Sequence, residues 1–152
     1  MLALFSLMTV MANVQGAVTP FSSLRPMLGG GATDGELADT LDHVRQRLAD
    51  TSSTGGHTPP ALEAMISDSS RFHAVMAVIA VMVAVVLVGI SVLLWKGRAR
   101  AGSSDRRARR TLGAFGGLSV LLSLIVIVGA VANATTAAAP VPALLAFFDG
   151  GW

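Results

Sequence analysis

The sequence predicts an all-α integral membrane protein with three transmembrane helices, N-terminus inside and C-terminus outside, and a short amphipathic extracytoplasmic helix. Its 152 residues are 53% hydrophobic and only 13% charged, with a mean hydropathy of +0.66. Soluble domains carry about 25% charged residues, so this chain lacks the polar side chains to cover a globule in water. Two long charge-free stretches and one strongly basic loop give the same prediction.

Residues 1–18, MLALFSLMTVMANVQGAV, form the first predicted transmembrane helix. The stretch is apolar enough to enter a membrane but short for a full span. It lacks the basic n-region of a secretory signal, whereas Gly16 and Ala17 resemble the small residues of a cleavage site. We therefore expect a retained first helix and keep a cleaved signal sequence as the alternative.

Residues 19–71 form an acidic segment that is predicted to be extracytoplasmic. It holds seven acidic residues against four arginines, a net charge of −3. A helix is predicted at about residues 34–49, because four apolar residues recur there at helical spacing and form one stripe. The stripe consists of Leu37, Leu41, Val44 and Leu48. A lone helix of about 16 residues is marginal in water, so we expect a partner protein or the membrane surface to cover this stripe.

Residues 72–95 and 111–134 are the second and third predicted transmembrane helices. The charge-free run at 74–95 has 22 residues and would be roughly 33 Å long as a helix. That length crosses a bilayer core of about 30 Å, in which a helix satisfies its own backbone groups. Small residues that would allow close helix packing are Ala80, Ala84, Gly113 and Gly117. They would serve either the chain's own hairpin or contact with another protein.

Residues 96–110 form a basic loop between these two helices. Seven basic residues stand against one acid, a net charge of +6. The basic residues are Lys96, Arg98, Arg100, Arg106, Arg107, Arg109 and Arg110. Basic residues in short loops remain on the cytoplasmic side, so this loop is predicted to be inside. Membrane topology explains the basic residues of the loop better than nucleic-acid binding does. The loop could in addition attract anionic lipid headgroups or bind an acidic partner.

Residues 135–152 form the predicted extracytoplasmic or interfacial tail. Pro140 and Pro142 precede the apolar run ALLAFF at 143–148. Six residues are too few to cross a bilayer. We expect the tail to lie on the membrane surface or against a partner.

Nothing in the sequence indicates catalysis, a cofactor or a metal. The chain has no cysteine, which excludes disulfides, thiolate metal sites and cysteine nucleophiles. No P-loop, HExxH, GxSxG or GxGxxG pattern is present. His43 follows Asp39 by one helical turn, but no third ligand has suitable spacing. The apolar runs at 74–95 and 112–134 contain no ionisable residue, whereas ion and proton pathways normally require them.

These patterns favour a non-catalytic accessory subunit of a larger bacterial membrane complex, with a free-standing lipid-interacting membrane protein as the alternative. The layout combines an N-terminal span, an acidic segment with VQGAVTPFSSLRPML at 14–28, and a two-span hairpin with its KGRAR…RRARR turn. In this layout the chain resembles the LucB-type accessory subunits found with mycobacterial Mce lipid-import complexes. The resemblance implies a non-catalytic subunit beside a lipid permease in an actinobacterial plasma membrane. The resemblance does not assign a functional role to any residue of this chain.

Overall fold

The computed structural model describes residues 35–54, 58–102 and 105–149, together with Thr9, Asn13, Gly16, Ala17 and Thr19. The described residues are almost all helical and include no strand. They form four numbered helices, α1 (Glu36–Thr54), α2 (Pro60–Arg100), α3 (Arg106–Ala138) and α4 (Pro140–Phe148). The prediction of an all-α protein is confirmed for this part of the chain.

The first predicted transmembrane helix lies mostly outside the described residues. Thr9, Asn13, Gly16 and Ala17 are helical, and the Asn13 side-chain amide donates to the Thr9 carbonyl at 2.8 Å. That hydrogen bond joins residues one helical turn apart. Whether this segment crosses a membrane stays a prediction.

Helix α1 begins and ends later than the predicted 34–49. Gly35 has a positive φ of 93°, and its carbonyl accepts the Asp39 N–H at 3.2 Å. Glycine adopts that backbone conformation without a steric penalty, so the chain enters the helix at Glu36. At the other end, the Thr51 hydroxyl donates to the Arg47 carbonyl at 2.8 Å, and the helix continues to Thr54.

Helix α2 is longer than the predicted span at 72–95, because it already begins at Pro60 and continues to Arg100. Its 41 residues correspond to roughly 62 Å, about twice the thickness of a bilayer core. Pro60 lies at the first helical position, where its missing N–H costs nothing. Helix α3 has 33 residues and likewise extends past the predicted 111–134 at both ends.

Helices α2 and α3 are each long and apolar enough to cross a membrane. Only 11% and 22% of their most apolar stretches are buried. The central helix of a soluble protein also passes a length and hydropathy criterion, but it is mostly buried. The exposure of these stretches therefore favours lipid-facing helices.

The chain divides into two compact units. The first unit contains Met1–Val75 and Thr135–Trp152, and the hairpin unit contains Met76–Ala134. In the first unit, α1 packs against α4. Among the described residues, four buried residues of α1, α2 and α4 form a core there, namely Leu48, Leu62, Met65 and Leu144. We refer to these four residues as the first-unit core.

The first-unit core corrects the expectation that the α1 stripe is covered from outside the chain. Leu48 has no exposed surface, and Val44 packs against the same core. Leu41 is half-buried, and the side chain of Leu37 lies outside the described part of the chain. Because α2 and α4 cover the stripe at Leu48 and Val44, these two residues do not require a partner.

The tail contributes to the same core. Residues 140–148 form α4, and Leu144 is fully buried against α1 and α2. Leu145 and Phe148 pack against the same core. An exposed ion pair, Arg45 to Asp149 at 3.3 Å, joins the two helices as well, although pairs at such exposure contribute little stability. These residues therefore make an intramolecular contact, and the expected position of the tail on the membrane surface or against a partner stays a prediction.

Candidate functional site

The hairpin unit buries small residues at a regular interval of seven. Ala84 and Ser91 are the buried positions of its α2 part, and Gly116, Ser123 and Ala130 are those of α3. A seven-residue repeat keeps one seam of each helix facing its neighbour over many turns. Because all five side chains are small, the two backbones approach closely without the hydrophobic effect that drives packing in water.

One hydrogen bond fixes the register of this hairpin. The Ser91 hydroxyl donates to the Gly116 carbonyl at 3.3 Å, in a buried position between the helices. In an antiparallel pair, a step of seven residues back along α2 matches a step of seven forward along α3. This register places Ala84 opposite Ser123 and Ala77 opposite Ala130. The seam is therefore built from layers of small residues.

The predicted packing residues divide between this seam and other positions. Ala84 lies in the seam, and Ala80 is half-buried beside it. Gly113 lies under the guanidinium of Arg98, where a Cβ atom would overlap it. Gly117, in contrast, is exposed, with open space where a side chain would project. The GxxxG pattern therefore includes one glycine that makes no contact in the hairpin.

Sequence reasoning missed most of the seam. Ser91, Gly116, Ser123 and Ala130 were not singled out, although their seven-residue spacing is visible in the sequence. Gly116 is the tightest of them, because a Cβ atom there would lie 3.0 Å from the indole nitrogen of Trp95. A search for small residues at heptad spacing, instead of for GxxxG alone, would have found these positions.

The remaining surface of the hairpin is aliphatic. Leu93 and Val128 are each more than two thirds exposed, and in the described ranges the exposed large apolar residues lie on these two helices from Val78 to Val131. Contiguous apolar surface of this extent is rare on soluble monomers and is typical of a membrane or protein contact. Among the described residues, none between Met76 and Trp95 or between Thr111 and Ala134 is ionisable.

One groove interrupts that surface. It has a volume of about 450 Å³ and is lined by residues of both helices at one end of the hairpin unit. Ala77, Ala84, Ala130 and Ala134 line it together with larger valine and isoleucine side chains. Since every lining residue is aliphatic, the groove offers shape and no polar recognition. It suits another apolar helix or an acyl chain.

The basic end of the hairpin unit contains more helix than the predicted loop at 96–110. Lys96, Arg98 and Arg100 lie on the last turns of α2, and α3 begins at Arg106. The single acid, Asp105, accepts the Ala108 N–H at 3.0 Å and thus caps α3. The guanidinium of Arg98 lies 5.1 Å from the centre of the Trp95 ring, within the range of a cation–π interaction.

In the described part of the chain, no three histidine, aspartate or glutamate side chains come together as metal ligands. Comparison with protein-family models, with curated proteins and with solved structures gave no match.

Proposed function

We propose that the chain is a non-catalytic accessory subunit that binds a larger bacterial membrane complex through its hairpin. The observation that carries the proposal is the aliphatic groove lined by Ala77, Ala84, Ala130 and Ala134. Small side chains let a second helix approach closely inside a bilayer, where packing and not water exclusion drives association. The occupant that we propose is a transmembrane helix of the partner complex.

The proposed orientation follows from charge. The basic end of the hairpin carries seven basic residues and one acid, so it lies on the cytoplasmic side of a plasma membrane. The acidic segment 19–71 then lies outside. With residues 1–18 as a third span, the N-terminus is inside and the C-terminus outside. The groove, between residues 77 and 134, lies in the outer half of the bilayer in this orientation.

The identity of the complex rests on the layout alone. Resemblance to LucB-type subunits makes a Mce-type lipid-import permease the partner that we propose first. The role is stabilising or regulatory, because the apolar stretches 76–95 and 111–134 contain no ionisable residue to form a transport pathway. Because other helices of the chain cover Leu48 and Val44 of α1, we propose that the partner contacts the groove of the hairpin and not the extracytoplasmic helix.

Purification of tagged protein from its native host in mild detergent tests this proposal, with mass spectrometry of the copurified proteins. We expect one membrane protein in stoichiometric amount. Ala134→Leu fills the groove and is expected to weaken that association about tenfold, since overpacking a contact costs about 1–3 kcal/mol.

Ala132→Leu is the matched control, because Ala132 is also exposed on α3 but does not line the groove. It should retain the partner. A monodisperse monomer without a stoichiometric partner would refute the subunit proposal and favour the free-standing, lipid-interacting alternative. Equal loss of the partner in both variants would refute the groove as the contact.

A further inference from the structure

Arg98 differs from the other basic residues at this end of the hairpin because its side chain is held in place. It is half-buried, whereas Lys96, Arg100, Arg106, Arg107, Arg109 and Arg110 are exposed. Its guanidinium lies against the Trp95 ring and over Gly113. A positioned guanidinium loses less conformational entropy than a mobile one when it binds an anion.

The charge at this end is not neutralised within the described part of the chain. The ion pair between Arg45 and Asp149 lies elsewhere, in the first unit. Asp105 uses a carboxylate oxygen to cap α3. The four arginines at 106, 107, 109 and 110 also occupy the N-terminal turns of α3, where the helix dipole disfavours positive charge. An external anion would relieve this repulsion.

Apolar surface continues directly from Arg98 along α2. Val92, Trp95 and Arg98 follow one another at intervals of three residues, which places them on one side of the helix. Val92 and Trp95 are each exposed by nearly half. The strip thus offers an apolar track that ends in a fixed cation.

We propose that this strip binds an anionic phospholipid, with the headgroup phosphate on Arg98 and an acyl chain along Trp95 and Val92. The guanidinium presents paired N–H donors that match a phosphate, and tryptophan is enriched at the level of the headgroups. The apolar track favours a lipid over free phosphate or an acidic protein, since neither of those would cover it. This site requires that the hairpin lies in a membrane and does not depend on a partner complex.

Trp95 itself reports on the proposed site. Trp152→Phe leaves Trp95 as the single tryptophan of the chain. The protein is reconstituted into vesicles of brominated phosphatidylglycerol mixed with phosphatidylcholine, and bromine quenching of Trp95 measures which lipid lies beside it. We expect phosphatidylglycerol to be preferred about fivefold, the effect of about one basic residue at the membrane surface.

Arg98→Gln should reduce the preference to about one. Arg100→Gln is the matched control, because it removes the same charge from an exposed position of the same helix, and it should keep most of the preference. Gly113→Ala retains every charge but displaces the guanidinium, so it should also weaken the preference. Far-UV circular dichroism establishes that each variant is folded.

Three results would overturn the proposal. Equal losses in the Arg98 and Arg100 variants would indicate general surface charge without a site. Loss of the preference in millimolar inorganic phosphate would indicate a free anion as the ligand. An absence of preference in the unsubstituted protein would exclude the lipid and leave an acidic protein as the occupant. None of these results bears on the accessory-subunit proposal, which copurification tests separately.

Discussion

Leu48→Ala is expected to destabilise the packing of α1 in the first unit by about 3 kcal/mol. Leu48 is fully buried in the first-unit core, so its truncation removes apolar contact and leaves a cavity. Hydrogen–deuterium exchange measured by mass spectrometry should show α1 and α4 amides exchanging about a hundredfold faster, the equivalent of that free energy.

Leu118→Ala is the matched control, because it deletes the same atoms from a hairpin leucine that is 50% exposed. Exchange in α1 and α4 should then stay within about twofold of the unsubstituted protein, as for surface substitutions generally. If Leu48→Ala left α1 exchange unchanged, the stripe would not be covered by the chain itself. A partner or the membrane surface would again be the better explanation for it.

Gly116→Val is expected to destabilise the hairpin by about 2–3 kcal/mol, near the upper end of the usual cost of overpacking. Even a single Cβ atom at this position would lie 3.0 Å from the Trp95 indole nitrogen. The two additional methyl groups of valine require more space at the layer where Ser91 donates to the Gly116 carbonyl. SDS titration of the protein in mild detergent, followed by Trp95 fluorescence in the Trp152→Phe background, measures the loss.

Gly117→Val makes the same substitution one residue further along α3, where the space is open. Its effect should stay within about 0.5 kcal/mol, because nothing has to move. The pair separates the seam from the GxxxG pattern, which contains Gly117 and not Gly116. A larger effect for Gly117→Val than for Gly116→Val would mean that the register set by Ser91 is wrong.

The helices were predictable where the sequence alone determines their environment. Long charge-free runs identified α2 and α3, because few structures other than a membrane-crossing helix accommodate an apolar run of that length. The seam was also visible as small residues seven positions apart, Ala84 and Ser91 on α2 and Gly116 and Ser123 on α3. Three glycines lie close together at 113, 116 and 117, however, and only the position of α2 selects which one is buried. That selection depends on tertiary register, which GxxxG spacing does not encode.

The contacts of the first unit could not be predicted for a similar reason. An amphipathic stripe shows that Leu48 and Val44 are covered but does not identify what covers them. The answer, Leu144 of α4 and Leu62 and Met65 of α2, comes from segments that are distant from α1 in sequence or separated from it by a turn. The six-residue run of the tail is too short to cross a membrane, but its sequence does not show that it packs against α1.

Cysteine accessibility in intact cells tests the central claim that the hairpin crosses the membrane with its basic end inside. The chain has no cysteine, so Ala49→Cys on α1 and Ala99→Cys at the basic end each introduce a single thiol at an exposed position. We expect a membrane-impermeant maleimide to label Ala49→Cys in intact cells and Ala99→Cys only after lysis. Labelling of Ala99→Cys in intact cells, or protection of both thiols until lysis, would contradict the proposed orientation.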